Sequence, residues 1–297
     1  MFDTSPQLDC HGRRLTLDRP RVMGIVNVTP DSFSDGGEHF DAGAAIAHGL
    51  RLVEEGADLL DVGGESTRPG AAPVPVEEEL RRVLPVIEGL AARVAVPISI
   101  DTRHAEVMRA AVAAGAGMIN DVQALRGEGA LEAAAELGVP VVLMHMQGQP
   151  RDMQEAPHYD DVVGEVHRFL AERIFACEMA GIERRRIVVD PGFGFGKATA
   201  HNLQLLARLR RFTELGVPVL AGLSRKRSIG ELTGRDEPRA RMPGSLAAHL
   251  IAVQNGAMLV RTHDVAATVD ALKVWVAVAA VPTPRQPPAR AEIAWPE

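Results

Sequence analysis

Eight positions in this chain combine polar chemistry with an unusual setting: Asn27, Glu65, Asp101, Asn120, His145, Asp190, Ser224 and His263 each fall at or just past the last apolar residue of a short hydrophobic run. A single Asp or Asn there is ordinarily a turn former or a helix cap. Eight on one predicted rim suggest a binding mouth, and Asp101 in PISID and Asn120 in GMINDV stand on the apolar run itself. A buried carboxylate must be paired or hydrogen-bonded, so such a floor asks for a ligand rich in donors. Carboxylates beside an amide suit a flat heterocycle with an amino-pyrimidinone edge, because a carboxylate can accept two N–H bonds from a guanidine-like group.

Positive charge collects elsewhere on the same rim. Ser224-Arg225-Lys226 follows one run, and Arg261 with His263 ends another. GSLA, residues 244–247, is expected to open a helix whose free N–H groups could hold an anion. The chain has 32 Lys+Arg against 39 Asp+Glu, a net charge of −7. A local cationic cluster on an acidic chain fits an anionic small molecule, a phosphate or diphosphate, better than nucleic acid. DPGFGFGK, residues 190–197, lacks the GK[ST] ending of a phosphate loop; it is expected to carry Asp190 into the mouth and to present Phe193 and Phe195 to a flat ligand. No partner at ligand spacing accompanies His145, which reads as a hydrogen-bonding core histidine. Met144 and Met146 read as pocket wall. With no nucleophile–base pair apparent, the favoured chemistry is displacement of diphosphate by positioning and charge stabilisation.

The elements that must position these residues alternate regularly. RVMGIVN, ADLLDVG, VPISID, GMINDV, VPVVLMH, RIVVDPG, VPVLAGLS and AMLVRTH read as eight strands, continuous in apolar character as expected for strands covered on both faces. Helical spacing falls at 46–55, 76–94, 105–114, 130–137, 160–180, 202–215, 245–254 and 265–281, and several of these segments stop at a glycine. Eight strand–helix units predict an α/β fold, a (β/α)8 TIM barrel over residues 21–281 with its site at the strands' C-terminal ends. An open doubly wound sheet is the alternative, but no GxGxxG follows the first strand. Residues 1–20 are expected to form a hairpin plugging the barrel's bottom, and 282–297 a flexible proline-rich tail. NVTPDSFSDGG and GGESTRPGA, after the first and second strands, read as mobile lids. No run of about 18 apolar residues suggests a membrane span. The two cysteines, Cys10 and Cys177, and the absence of a leader-like apolar run point to a reducing cytoplasm.

MGIVNVTPDSFSDGG, GGESTRPGA, SIDT, INDV, LMHMQG, DPGFGFGK, SRK and RTHDV, in this order, resemble the dihydropteroate synthases, a pterin-binding family. The resemblance runs from about Leu15 to Ala280. It implies a transferase of folate biosynthesis that moves a 7,8-dihydropterin-6-ylmethyl group from its diphosphate to 4-aminobenzoate. By the same resemblance Asn27 would bind Mg2+, the cofactor, with Thr67, Arg261 and His263 holding the diphosphate oxygens. Asp101, Asn120, Asp190 and Lys226 would grip the pterin. Ser224, Phe195, Pro69 and Phe33 would shape the aminobenzoate pocket, and Arg68 and Asp35 would close over the reacting centre. Thr262 stands where an aliphatic residue is expected. The resemblance also implies a homodimer through the last helices and partners that are small molecules, with no nucleic acid and no membrane.

Overall fold

The apolar runs form eight parallel strands that close on themselves: β3 (Arg21–Asn27), β4 (Leu59–Gly63), β5 (Ile98–Asp101), β6 (Met118–Asp121), β7 (Val141–Met144), β8 (Ile187–Asp190), β9 (Val219–Ala221) and β10 (Ala257–Thr262). The order around the barrel is β10-β3-β4-β5-β6-β7-β8-β9, so β10 pairs with both β9 and β3. A computed structural model provides the coordinates and describes residues 6–29, 41–66, 73–148, 153 and 155–281. The register carries the site: Asn27 lies opposite Gly63, Gly63 opposite Asp101, and Asp101 opposite Asn120, which brings the ends of four strands to one level.

Helices cover the outside: α1 (Ala42–Glu54), α2 (Val76–Ala91), α3 (Ala105–Ala113), α4 (Ala130–Leu137), α5 (Val162–Met179), α6 (Thr199–Ala207), α7 (Arg210–Thr213), α8 (Arg227–Thr233), α9 (Met242–Gln254) and α10 (Val265–Ala279). Three depart from the spacing argument. The helix expected at 202–215 divides into α6 and α7. The helix expected from Ser245 begins at Met242, with Pro243 in its first turn, where a missing N–H does no harm. An unexpected helix, α8, follows β9 and stops at Gly234, whose φ of 64° is the left-handed ending glycine favours.

The first strands, β1 (Gln7–Cys10) and β2 (Arg13–Thr16), form an antiparallel hairpin. Its alternating burial turns Leu8, Cys10 and Leu15 inward, where they and Leu17 pack with Met23, Leu59, Met118, Val142, Val188, Leu220 and Leu259. These seven residues come from seven barrel strands, so the hairpin closes the barrel at the end opposite the mouth. Leu8 is 2% exposed. Leu8→Ala is expected to lower the unfolding free energy by about 2–5 kcal/mol in a urea melt without moving either KM, because it opens a cavity remote from the mouth.

Candidate functional site

The strands' C-terminal ends open into a cavity of about 660 Å3. Ten of the expected residues line it: Asn27, Asp101, Asn120, Met144 and Asp190 on or at strand ends, and Phe195, Ser224, Lys226, Arg261 and His263 beyond or beside them. Phe33, Asp35, Thr67, Arg68 and Pro69, with most of both expected lids, lie outside the described residues.

The floor is an ion-pair network. Arg261 Nη2 donates to Asp101 Oδ2 at 2.9 Å, and Arg261 Nε to Asp61 Oδ2 at 2.6 Å. Burial raises the Asp101 carboxyl to about 7, helped by Asp61 and opposed by Arg261. Asp61 was not anticipated. It sits inside ADLLDVG and not at the run's end, and a carboxylate interrupting an apolar run was the signal that could have found it. The second acid of INDV, Asp121, has a local job: its two oxygens accept the N–H groups of Gln123 and Leu125 at 2.7 and 2.8 Å, shaping the turn that follows.

Asp190 enters the mouth from β8 with Oδ1 accepting the Gly192 N–H at 2.7 Å. Burial raises its pKa, and Lys226, Lys197 and Arg261 oppose the rise. The loop after it is pressed against the end of β7. A Cβ on Gly192, at φ 71°, would lie 1.9 Å from the His145 carbonyl oxygen, so only glycine fits. Lys197, a second residue not anticipated, is 2% exposed and staples this contact. Its Nζ donates to Gly192 O and Phe195 O, both at 2.9 Å, and lies 2.9 Å from His145 Nδ1. Burial lowers the Lys197 pKa to about 7, with Asp190 opposing. His145 is therefore a buried, hydrogen-bonded histidine, and burial with the Lys197 charge pushes its pKa down to about 2. Lysine is scarce here, three in the chain, which hinted at a role but not at backbone acceptors. Lys197→Met should lower stability by about 2–4 kcal/mol, read by denaturant unfolding, because it removes the buried donor shared by His145 O, His145 Nδ1, Gly192 O and Phe195 O.

Of the two phenylalanines, Phe193 is 1% exposed and belongs to the main apolar core, so the expectation that both stack on a ligand is corrected. Phe195 clusters with Val122, Met144, Met146 and Met153, of which all but Met146 line the cavity, and carries Lys226 Nζ 4.1 Å from its ring centroid. Burial lowers the Lys226 pKa to about 8; Arg261 adds to this, while Asp190 and Asp101 oppose it.

The cationic rim is smaller than the sequence suggests. Arg225 donates to Asp264 at 2.5 and 3.0 Å, and its charge is matched there. GSLA does not open a helix: Gly244 and Ser245 lie inside α9, and Ser245 Oγ is used by the Arg225 N–H and the Arg241 carbonyl. Glu65 holds Arg103, at 3.1 and 3.2 Å. Lys226, Arg261 and His263 face the cavity, and Lys197, Arg225, Arg227 and Arg241, which also line it, are each engaged by protein acceptors. Ser224 Oγ lies 3.0 Å from His263 Nδ1, a pairing that the sequence did not show. The hydroxyl also accepts the His263 backbone N–H at 3.1 Å, so this contact ties the ends of β9 and β10 together. The Thr262 hydroxyl accepts the Asp264 N–H and lies 3.2 Å from Thr268 Oγ1, a use for this polar departure at the start of α10.

Among the described residues no three His, Cys, Asp or Glu side chains gather into a metal cluster. Asn27 offers one hard amide oxygen at the cavity edge, and magnesium commonly takes few protein ligands when substrate phosphates and water supply the rest. That donor set fits magnesium carried with a diphosphate and does not fit a metal held by protein alone.

An acceptor floor flanked by basic side chains suits a fused heterocycle bearing an anionic tail, and comparison with known proteins points the same way. Residues 23–263 match the family described as pterin binding enzyme. The dihydropteroate synthase of Escherichia coli K12 is 54% identical over 268 residues, 90% of this chain and 95% of that one. The Xanthomonas albilineans dihydropteroate synthase with 4-aminobenzoic acid is 75% identical, with a TM-score of 0.90 over 94% of this chain and 100% of that one. The same enzyme in complex with 7,8-dihydropteroate aligns at 72% identity and a TM-score of 0.87, covering 93% of this chain and 100% of that one. The chain belongs to the pterin-binding enzyme family, among the dihydropteroate synthases.

Proposed function

We propose that the chain transfers the 7,8-dihydropterin-6-ylmethyl group from its diphosphate to the amine of 4-aminobenzoate, forming dihydropteroate and releasing diphosphate. The carrying observation is the union, in one mouth, of the acceptors Asp101, Asn120 and Asp190 with the basic side chains Lys226, Arg261 and His263. The acceptors take the N–H groups of the pterin edge, and Lys226 joins them on the pterin. Arg261 and His263 face the charge that grows on the diphosphate as its C–O bond breaks, the interaction that must strengthen toward the transition state. Magnesium held by Asn27 and the diphosphate oxygens would supply further neutralisation of the leaving group.

The step is dissociative: the C–O electron pair leaves with diphosphate, and the electron-rich dihydropterin shares the positive charge left on the methylene. The amine lone pair then forms the new C–N bond, and the nitrogen gives up a proton. Phe195 and Ser224 shape the wall against which 4-aminobenzoate rests; by the family resemblance Pro69 and Phe33 would serve the same pocket, Thr67 the diphosphate, and Arg68 and Asp35 the reacting centre. No covalent enzyme adduct forms. Incubation with the pterin diphosphate, 4-aminobenzoate and Mg2+ should yield dihydropteroate by mass, with one diphosphate per product. No product, or a pterin covalently bound to the protein during turnover, would overturn this reading.

The assembly is a homodimer in which α9 and α10 of two copies meet. Ile251, Val274 and Val278 support this: Val274 and Val278, one helical turn apart, are 66% and 68% exposed. The compartment is the cytoplasm, consistent with two unpaired, buried cysteines and with no helix among the described residues long and apolar enough to cross a membrane.

A further inference from the structure

Asp61, in the middle of β4, is fully buried and does not line the cavity. Its Oδ2 meets two groups, Arg261 Nε at 2.6 Å and the Asn120 side-chain amide at 3.1 Å. A guanidinium N–H can only donate. Oδ2 is thereby an acceptor, and the Asn120 atom facing it must be the amide nitrogen. An amide has two ends, so once Nδ2 is engaged by Asp61 the carbonyl oxygen is the end left for the cavity that Asn120 lines. The same Asp61 oxygen holds Arg261, which reaches on to Asp101 at 2.9 Å. One carboxylate out of reach of any ligand therefore orients two residues of the floor.

The carboxylate is incompletely satisfied: Asp61 Oδ1 is buried without a hydrogen-bond partner among the described residues, as is Ser99 Oγ, the register neighbour on β5. A buried ion pair is weak evidence of a stabilising role, although removing one partner alone is costly, so the variants below are compared only as folded protein.

We propose that Asp61 is a positioning residue that sets specificity: it fixes the Asn120 amide so that its carbonyl oxygen joins Asp101 and Asp190 as an acceptor toward the cavity, selecting a ring edge rich in N–H and rejecting one whose amino group is replaced by a carbonyl. The inference rests on the pterin reading of the cavity. With Asp61 absent, the Asn120 amide is free to turn end for end and donate to such a carbonyl. An asparagine at position 61 keeps one oxygen able to accept from both Arg261 and Asn120, so Asp61→Asn is the conserving change and Asp61→Leu the disrupting one.

The test compares the full chain with these two variants, using pterin (2-amino-4-oxo) and lumazine (2,4-dioxo) as calorimetric probes. The native chain and Asp61→Asn should prefer pterin by about tenfold or more, as sites built to pair with an N–H group do. Folded Asp61→Leu should lose most of that preference by gaining affinity for lumazine, which a general loosening of the site would not produce. A second readout needs no ligand: the chain has four asparagines, and selective 15N labelling resolves their side-chain amides. In the native chain the Asn120 amide should carry an exchange-protected proton, kept in Asp61→Asn. An undiminished pterin preference in folded Asp61→Leu, or an unprotected Asn120 amide in the native chain, would overturn the proposal. Native chain that binds neither pteridine would instead refute the pterin reading, and the Asn120 amide signal would then decide the orienting role alone.

Discussion

Asp190→Asn is expected to lower kcat/KM for the pterin diphosphate by about two orders of magnitude while leaving 4-aminobenzoate affinity unchanged. The two side chains have the same shape, so the effect is one of polarity. Asp190 Oδ1 accepts the Gly192 N–H at 2.7 Å, in a loop whose path is fixed by the close approach of Gly192 to the His145 carbonyl. An asparagine must keep its oxygen on that N–H and turn its NH2 group into the cavity. The pterin edge then meets a donor where it needs an acceptor. A charge-assisted bond is lost and two donors oppose each other, roughly 3 kcal/mol together, and about 1.4 kcal/mol corresponds to a factor of ten. Calorimetry with the pterin alone should show the same loss in affinity. A value within threefold of the native chain would remove Asp190 from the pterin floor.

Much of this arrangement is legible before any coordinates. Continuous apolar runs mark strands covered on both faces, and a polar residue ending such a run is placed where it can face the barrel's open mouth, which is why Asp101, Asn120 and Asp190 could be named. Asp61 was hidden because its meaning lies in a partner 200 residues away in sequence, two strands around a barrel that must close before the pair exists. Lys197 was hidden because three of its acceptors are backbone carbonyls, and any sequence supplies those. Arg225 misled for the complementary reason: charge near a rim reads as available until Asp264 is seen beside it. α8 escaped because RSIGELT has too few apolar residues to show a helical stripe. Phe193 and Phe195 alternate along one loop, and only the packing of that loop decides that the first enters the core.

Lys226→Ala is expected to cost about two orders of magnitude in turnover and to remove the alkaline limb of the pH profile. Lys226 Nζ lies over the Phe195 ring and near the carboxylates of the floor, so alanine removes a cation from the proposed pterin site and leaves Arg261 to balance Asp101 and Asp190. Burial brings the ammonium to about 8. The charged form is therefore present below that pH and lost above it, and kcat/KM of the native chain should fall as pH rises through about 8. Asp101, raised to about 7 by burial, supplies the opposite limb: its carboxylate is present above that pH and is lost as pH falls. Together the two groups predict a narrow bell. Lys226→Arg separates charge from titration, because a guanidinium stays protonated throughout the accessible range. That variant should keep the acid limb and lose the alkaline one, even if its absolute rate is lower for want of the lysine's shape. An alkaline limb that survives unchanged in Lys226→Arg would assign it to another group and would leave Lys226 with a packing role against Phe195.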